Sequence, residues 1–174
     1  MIILVAGSSH TGKTALSQRL LERYHYPYLS LDHLKMGLIR SGQTTLTPMD
    51  DDKLVGYLWP IARDMIKTAV ENEQNLIVEG CYIPCDWRES FEQSYLDQIR
   101  YVCLVMTERY IRSHWTDIVA HASDIEQRLD DSGLSMEELI ADNAANAADC
   151  EAHGCRIHWI DEAYDVKRLV EEIM

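Results

Sequence analysis

Eight residues near the start of the chain have the types and spacing of a phosphate-binding loop, G-x-x-x-x-G-K-[ST]. The two glycines of the motif let the backbone turn around an anion with its N–H groups pointing inward. The motif lysine is expected to contact the β- and γ-phosphates of a nucleoside triphosphate, and the final threonine to bind Mg²⁺ through its hydroxyl. The predicted nucleotide-binding residues are Gly7, Ser8, Ser9, His10, Thr11, Gly12, Lys13 and Thr14.

The residues on either side of this motif supply the context that it requires. An apolar run at 2–6 is typical of a buried parallel strand, and a helical pattern with leucines on one face begins at Lys13. The positive end of that helix would add to the attraction for phosphate. A chance match in a glycine-containing turn is the alternative, and the order of strand, loop and helix makes it the weaker interpretation.

Composition bounds the classes of protein that this chain can belong to. Its 174 residues suit a single domain spanning 1–174, and 47% hydrophobic residues is usual for a globular protein in water. With 16 basic and 29 acidic residues, the formal charge is −13, which repels nucleic acids and anionic membranes overall. We therefore expect neither a nucleic-acid partner nor a membrane, and a nucleotide site must gather its few cations in one place.

The sequence has neither a recognisable targeting signal nor a typical zinc-binding pattern, and we therefore expect a reduced, cytoplasmic protein. The chain begins directly with a strand, without the basic region and cleavage site of a signal peptide, and it has no apolar stretch of membrane-spanning length. Of the five cysteines, Cys81, Cys103 and Cys155 lie in or beside predicted core strands. The spacing C-x3-C at 81–85 and the cysteines and histidines at 150–158 lack the paired C-x2-C knuckles typical of zinc sites. We interpret Cys103 and Cys155 as small core side chains.

Apolar runs and helical stretches alternate along the chain. Strands are predicted at 2–6, 28–31, 75–79, 100–105 and 156–160. Helices are predicted at 13–24, 34–40, 47–72, 87–95, 108–129, 135–150 and 166–173. The alternation indicates an α/β fold in which helices cover both faces of a five-stranded parallel sheet. Pro60 predicts a kink or a break in the long helix, and Ser135 with Glu138 forms a capping box.

The ends of the predicted strands locate the ligand site. In open parallel sheets, ligands bind beyond the carboxyl ends of the strands. Besides the phosphate loop, this rule selects Asp32, Glu79–Gly80, residues 107–112 and residues 161–164.

With this loop and this order of elements, the chain resembles the small P-loop kinases. These include adenylate kinase and other nucleoside monophosphate kinases, shikimate and gluconate kinases, and zeta-toxin-like kinases. The resemblance covers most of the chain in element order, and the phosphate loop is its specific motif. It implies a three-layer α/β/α P-loop NTPase fold, ATP and Mg²⁺, and transfer of the γ-phosphate to a small-molecule acceptor. It also implies an acceptor-covering segment at about 33–72 and a helical lid at about 107–130.

The resemblance assigns roles to residues at the strand ends. Glu79-Gly80 resembles the Asp-Gly of nucleoside monophosphate kinases, which implies that Glu79 holds the metal through water. The arginine that follows this motif in adenylate kinases is replaced by Cys81, which counts against a nucleoside monophosphate acceptor. Arg109 and Arg112 lie at the place of the lid arginines and share one helix face, where they would hold the transferring phosphoryl group. A solvated helix face is the alternative.

The acceptor side offers one candidate base and several candidate cations. Asp32 follows the second strand, where shikimate and gluconate kinases place an Asp near the acceptor hydroxyl. It would orient or deprotonate that hydroxyl, or it would only cap the next helix. Cations here would suit a substrate with a carboxylate or phosphate, although most such side chains are simply solvated. The candidate substrate-binding residues are Asp32, Lys35, Arg40, Arg63, Gly80 and Arg88. Residues 161–164 resemble the adenine loop of the family.

Three function classes follow from these residues. The leading hypothesis is an ATP-dependent small-molecule kinase whose catalytic residues are Lys13, Asp32, Arg109 and Arg112. A nucleoside monophosphate kinase is the second, and a P-loop ATPase or nucleotide switch without an acceptor is the third. A GTPase is disfavoured because no N-K-x-D segment follows a strand, and the D-x-x-G at 130–133 follows a predicted helix and is interpreted as a turn.

Overall fold

The phosphate-loop strand lies at the centre of a parallel sheet. The computed structural model describes residues 1–120 and 135–173. Its strands are β1 (Ile2–Gly7), β2 (Tyr28–Ser30), β3 (Leu76–Glu79), β4 (Ile99–Met106) and β5 (Ile157–Ile160). They lie in the order β2-β3-β1-β4-β5, and every pairing is parallel. All residues of β1 are buried, as expected of an apolar strand that has a neighbour on each side and helices on both faces.

Helices cover both faces of the sheet, which confirms the predicted α/β architecture. They are α1 (Lys13–Tyr24), α2 (Leu31–Arg40), α3 (Asp51–Glu71), α4 (Gln93–Leu96), α5 (Glu108–Ala120), α6 (Met136–Ala152) and α7 (Val166–Ile173). One apolar cluster packs α3 and the segment after β3 against the sheet. A second cluster packs α1, α5 and α7 against the opposite face. Within the described residues, no helix is long and apolar enough to cross a membrane.

Helix α3 continues through Pro60, so the predicted break is wrong. Proline has no N–H group, so the Gly56 carbonyl receives no helical hydrogen bond from residue 60. Gly56 and Pro60 both lie on the exposed face of the helix, where water can bind this carbonyl instead. Leu54, Leu58 and Ile66 are fully buried on the other face. Their packing holds the helix together across the proline.

Other element boundaries also differ from the prediction. Helix α2 begins at Leu31 with Ser30 at the N-cap position, so Asp32 lies in the first turn and the interpretation of Asp32 as the helix cap is wrong. A carboxylate in the first turn still interacts favourably with the helix dipole. The predicted helix at 87–95 is a 3-10 turn, Trp87–Ser90, followed by the single turn of α4. Ser135 is confirmed as the N-cap of α6, because its hydroxyl accepts a hydrogen bond from the Glu138 N–H, one of the two hydrogen bonds of a capping box.

The predicted lid is only partly within the described structure. Helix α5 forms its first part and is kinked at His114, where φ is −118°. The predicted helical residues 121–129 and the turn at 131–133 lie outside the described residues.

Candidate active site

The phosphate loop has a backbone that only glycine accommodates at two points. Gly7 has φ +142° and Gly12 has φ +83°. A Cβ atom at Gly7 would lie 2.6 Å from the Leu104 carbonyl oxygen, and one at Gly12 would lie 2.5 Å from the Tyr164 ring. Both glycines are therefore required by the available space as well as by their dihedral angles.

Lys13 lies over the interior of this loop. Its side chain is 8% exposed, and its Nζ donates a hydrogen bond to the Ser8 carbonyl oxygen at 2.7 Å. The Thr11 hydroxyl donates to the same oxygen at 2.9 Å. The ammonium group is thus held at the loop by an uncharged carbonyl oxygen, and its positive charge is available to an anion that enters the loop.

The ends of three strands bring Glu79 next to this loop. In the sheet register, Glu79 pairs with Val5 of β1 on one side and with Ser30 of β2 on the other. Its side chain is buried, at 1% exposure. Gly80 follows with φ +155°, and a Cβ atom there would lie 2.8 Å from the Leu31 Cβ, so this glycine lets β3 end close against α2.

The oxygen donors at this edge fit Mg²⁺ held together with a nucleotide. Thr14 supplies a half-buried hydroxyl at the start of α1, and Glu79 supplies a carboxylate at the end of the neighbouring strand. Among the described residues, no group of three or more acidic, histidine or cysteine side chains is arranged to hold a metal alone. Mg²⁺ is commonly bound by one or two protein oxygens plus phosphates, so this small donor set suits it.

Asp32 belongs to a hydrogen-bonded chain of four side chains, which we call the acceptor-side network. Lys35 Nζ donates to Asp32 Oδ1 at 2.6 Å and to Tyr82 Oη at 2.8 Å. The Tyr82 hydroxyl donates to Asp51 Oδ1 at 2.8 Å. Burial of the phenol raises the pKa of Tyr82 and keeps it neutral. The network joins α2, α3 and the segment after β3.

Sequence reasoning missed two members of this network, Tyr82 and Asp51. Neither belongs to a motif, and Asp51 is one of three consecutive aspartates at 50–52. The position of Tyr82 just beyond Glu79-Gly80, at a strand end, is the signal that could have indicated it.

The two arginines predicted to belong to a lid are ion-paired with carboxylates. Arg109 binds both carboxylate oxygens of Asp161, which also accepts a hydrogen bond from the Thr107 hydroxyl at 2.8 Å. The guanidinium of Arg109, followed by the hydroxyl of Thr107, lowers the pKa of Asp161. Arg112 forms a fork with Glu137 at 2.9 and 3.1 Å. Both guanidinium groups are largely exposed, so these pairs are weak and can exchange partners.

The segment 161–164, predicted as the adenine loop, contacts the phosphate loop through Tyr164. The Tyr164 hydroxyl donates to the Gly12 carbonyl oxygen at 2.8 Å. Burial raises the pKa of Tyr164, so the phenol stays a hydrogen-bond donor. The roles of Arg109, Asp161 and Tyr164 toward a nucleotide stay predictions.

The remaining predicted cations are not brought to the phosphate loop. Arg63 pairs with the adjacent Asp64 on α3. Arg88 stacks over the Trp87 ring and donates to the Gly154 carbonyl oxygen, at the amino end of β5 and so at the opposite edge of the sheet. Arg40 is exposed at the far end of α2, about 12 Å of helix rise from Asp32.

Four of the five cysteines meet inside the protein, and all five are free thiols. Cys85 Sγ lies 3.2 Å from Cys150 Sγ. Cys155 Sγ donates to the Cys85 carbonyl oxygen, and the Asn146 amide donates to Cys103 Sγ. These thiols fill the core between α6 and the segment after β3. For Cys103, which is buried, and Cys155, which is partly buried, this is the structural role that the sequence predicted.

Comparison with solved structures identifies the fold. A shikimate kinase from Bacteroides thetaiotaomicron has a TM-score of 0.58 at 17% identity, covering 99% of this chain and 95% of that chain. A gluconokinase from Sinorhizobium meliloti 1021 has a TM-score of 0.56 at 17% identity, covering 98% and 87%. A sugar kinase from Janibacter sp. HTCC2649 has a TM-score of 0.54 at 15% identity, covering 98% and 90%. The chain matches no protein-family model and no curated protein sequence. The chain therefore has the fold of the small P-loop kinases, as the sequence predicted. At identities of 15–17%, the similarity shows the fold alone.

Proposed function

We propose that this protein is a small-molecule kinase that transfers the γ-phosphate of Mg-ATP to a hydroxyl of its acceptor. The observation that carries the proposal is the placement of a closed phosphate loop and the Asp32 carboxylate at one edge of the sheet, on either side of Glu79. The kinases with the same fold support it.

The nucleotide side of the reaction depends on fixed positive groups. The N–H groups of the loop and the Lys13 ammonium would hold the β- and γ-phosphates. Thr14 and Glu79 would hold Mg²⁺, which when bound neutralises phosphate charge. Arg109 and Arg112 would leave their carboxylate partners and stabilise the charge on the transferring group.

On the acceptor side, one carboxylate would accept the proton of the attacking hydroxyl. Asp32 Oδ1 is occupied by Lys35, and the side chain remains about one-third exposed, so its other oxygen can accept the acceptor proton. As the acceptor oxygen bonds to the γ-phosphorus, its O–H bond breaks toward Asp32, and the bond from the γ-phosphorus to the β-phosphate oxygen breaks to release ADP. Catalysis is mainly positioning and charge stabilisation.

The test is ADP release from Mg-ATP, with and without pooled acceptors. The pools contain nucleoside monophosphates, sugar acids, phosphorylated glycerates, amino alcohols and neutral polyols. Lys13→Ala is the inactive variant, and Lys167→Ala, an exposed lysine on α7, is its matched control. We expect acceptor-dependent ADP release that Lys13→Ala abolishes and Lys167→Ala preserves. ADP release that is the same with every pool would overturn the proposal in favour of an ATPase or a nucleotide switch.

A further inference from the structure

The cation nearest to Asp32 in the acceptor-side network is already neutralised. Lys35 Nζ lies 2.6 Å from Asp32 Oδ1, and its side chain is only 12% exposed. Its other hydrogen bond is to the Tyr82 hydroxyl, and its ammonium lies 5.0 Å from the centre of the Tyr82 ring. An anionic substrate would have to compete with an existing ion pair for this lysine.

The network as a whole carries more negative than positive charge. It contains two carboxylates, those of Asp32 and Asp51, one ammonium group, that of Lys35, and the neutral Tyr82 phenol. The buried Glu79 carboxylate lies at the adjacent strand end. An acceptor carboxylate or phosphate placed here would face like charges, which disfavours its binding.

Other arginines on the acceptor side do not compensate. Arg63 is paired with Asp64, and Arg88 lies at the opposite edge of the sheet. Arg40 is at the far end of α2. The forked contacts with which arginine binds carboxylates and phosphates are therefore not formed at this place by these three residues.

We propose that the acceptor-side network selects an uncharged polyhydroxyl acceptor and disfavours sugar acids and phosphorylated acceptors. This inference rests on the proposed kinase function and names the substrate class of the same site. Acceptor hydroxyls would donate to the carboxylates of Asp32 and Asp51 and accept from Lys35. In the sequence, the candidate cations suited a substrate with a carboxylate or phosphate, and the network now favours an acceptor without these groups.

The test compares kcat/KM for acceptors matched in size and differing in charge. The panel pairs neutral sugars and cyclitols with the corresponding sugar acids and sugar phosphates. For the wild-type protein we expect kcat/KM for a neutral acceptor to exceed that for its acid by about tenfold or more, the ratio that corresponds to 1.4 kcal/mol. A higher kcat/KM for the acid or the phosphate overturns the inference.

Two variants test whether the network is the cause. Asp51→Asn keeps an acceptor for the Tyr82 hydroxyl and removes one negative charge, so the ratio of kcat/KM for acid to that for neutral acceptor should rise several-fold. Asp52→Asn changes the neighbouring exposed aspartate and should leave the ratio unchanged. Equal ratios in the two variants contradict a role for the network. Absence of transfer to every acceptor, with Mg-ATP bound, contradicts the kinase function itself and is thus distinguishable from a wrong acceptor class.

Discussion

The Tyr164 hydroxyl donates a hydrogen bond to the Gly12 carbonyl oxygen at 2.8 Å, which joins the segment after β5 to the phosphate loop after β1. The ring of the same tyrosine fills the space beside Gly12. The conformation of the phosphate loop is therefore supported by a residue near the other end of the chain.

Loss of this hydrogen bond should weaken nucleotide binding. Tyr164→Phe keeps the ring and removes a bond worth about 0.5–1.5 kcal/mol, so we expect the Kd for ATP to rise by roughly two- to tenfold. Calorimetric titration measures the change. Tyr95→Phe, which loses a bond to Glu71 away from the loop, is the control and should bind as the wild type does. An unchanged Kd in Tyr164→Phe would show that the loop holds its shape without the tyrosine.

A side chain at position 12 should have a larger effect. Gly12→Ala combines a φ of +83° with a Cβ atom 2.5 Å from the Tyr164 ring, so we expect ATP binding to be lost. The double variant Gly12→Ala/Tyr164→Ala removes the clash and keeps the backbone strain, and should recover part of the affinity. Equal affinities in the single and double variants would assign the whole effect to the backbone.

The lid arginines should matter for turnover and little for stability. Exposed ion pairs contribute about 0–1 kcal/mol, so Arg112→Ala should unfold within about 1 kcal/mol of the wild type. If Arg112 stabilises the transferring phosphoryl group, kcat should fall by about 10²–10³, as for other fixed donors to a transition state. Arg168→Ala breaks a comparable exposed pair with Glu172 on α7 and should leave kcat unchanged. An unaltered kcat in Arg112→Ala would assign this arginine to a solvated surface pair.

Asn143 should contribute to stability at the end of β4. It is buried, its Oδ1 accepts from the Met106 N–H at 2.9 Å, and its Nδ2 donates to the Leu139 carbonyl oxygen at 2.8 Å. Asn143→Leu leaves the Met106 N–H without this partner, so the free energy of unfolding should fall by about 1–3 kcal/mol. Thermal unfolding measures it, with Asp142→Ala on the exposed side of the same helix as the control. A melting temperature equal to that of the control would contradict this role.

The start of α3 should respond to acid at an unusually low pH. Asp50 accepts hydrogen bonds from Lys53 Nζ and from the N–H and hydroxyl of Thr47. These contacts, with Lys53 the largest cause, lower its pKa from 3.8 to about 2. Because the folded pKa is the lower one, the stabilisation is complete above 3.8 and is lost as the pH falls toward 2.

An NMR titration of the Asp50 carboxyl carbon checks this expectation. The midpoint should lie near 2 in the wild type. In Lys53→Met it should move toward the ordinary value of 3.8, because the largest cause is removed. A midpoint that does not move would show that Lys53 does not hold this carboxylate in solution.

The phosphate loop, the strands and the parallel sheet could be predicted from the sequence because each depends on residues close together in the chain. A buried strand, a glycine turn and a helix start are read from consecutive side chains. The N-cap at Ser135 followed in the same way. The break at Pro60 was wrong because the buried face of α3 packs on both sides of the proline. The cap at Asp32 was wrong because α2 begins at Leu31, before this residue and three residues before the predicted start.

The acceptor-side network and the Tyr164 contact were decided by the tertiary structure alone. Tyr82 lies 47 residues from Lys35 and 31 from Asp51, and Tyr164 lies 152 residues from Gly12. Tyr82 meets Lys35 because β3 lies beside β2, and Tyr164 meets Gly12 because β4 alone separates β5 from β1. Local patterns do not encode that strand order. The predicted phosphate-binding motif is contained in one short segment of the sequence, so it could be identified without the fold. The charge of the predicted acceptor site also depends on tertiary contacts, because Lys35 and Asp32 share one helix, whereas the Tyr82 hydroxyl that joins Lys35 to Asp51 reaches both only in the folded chain.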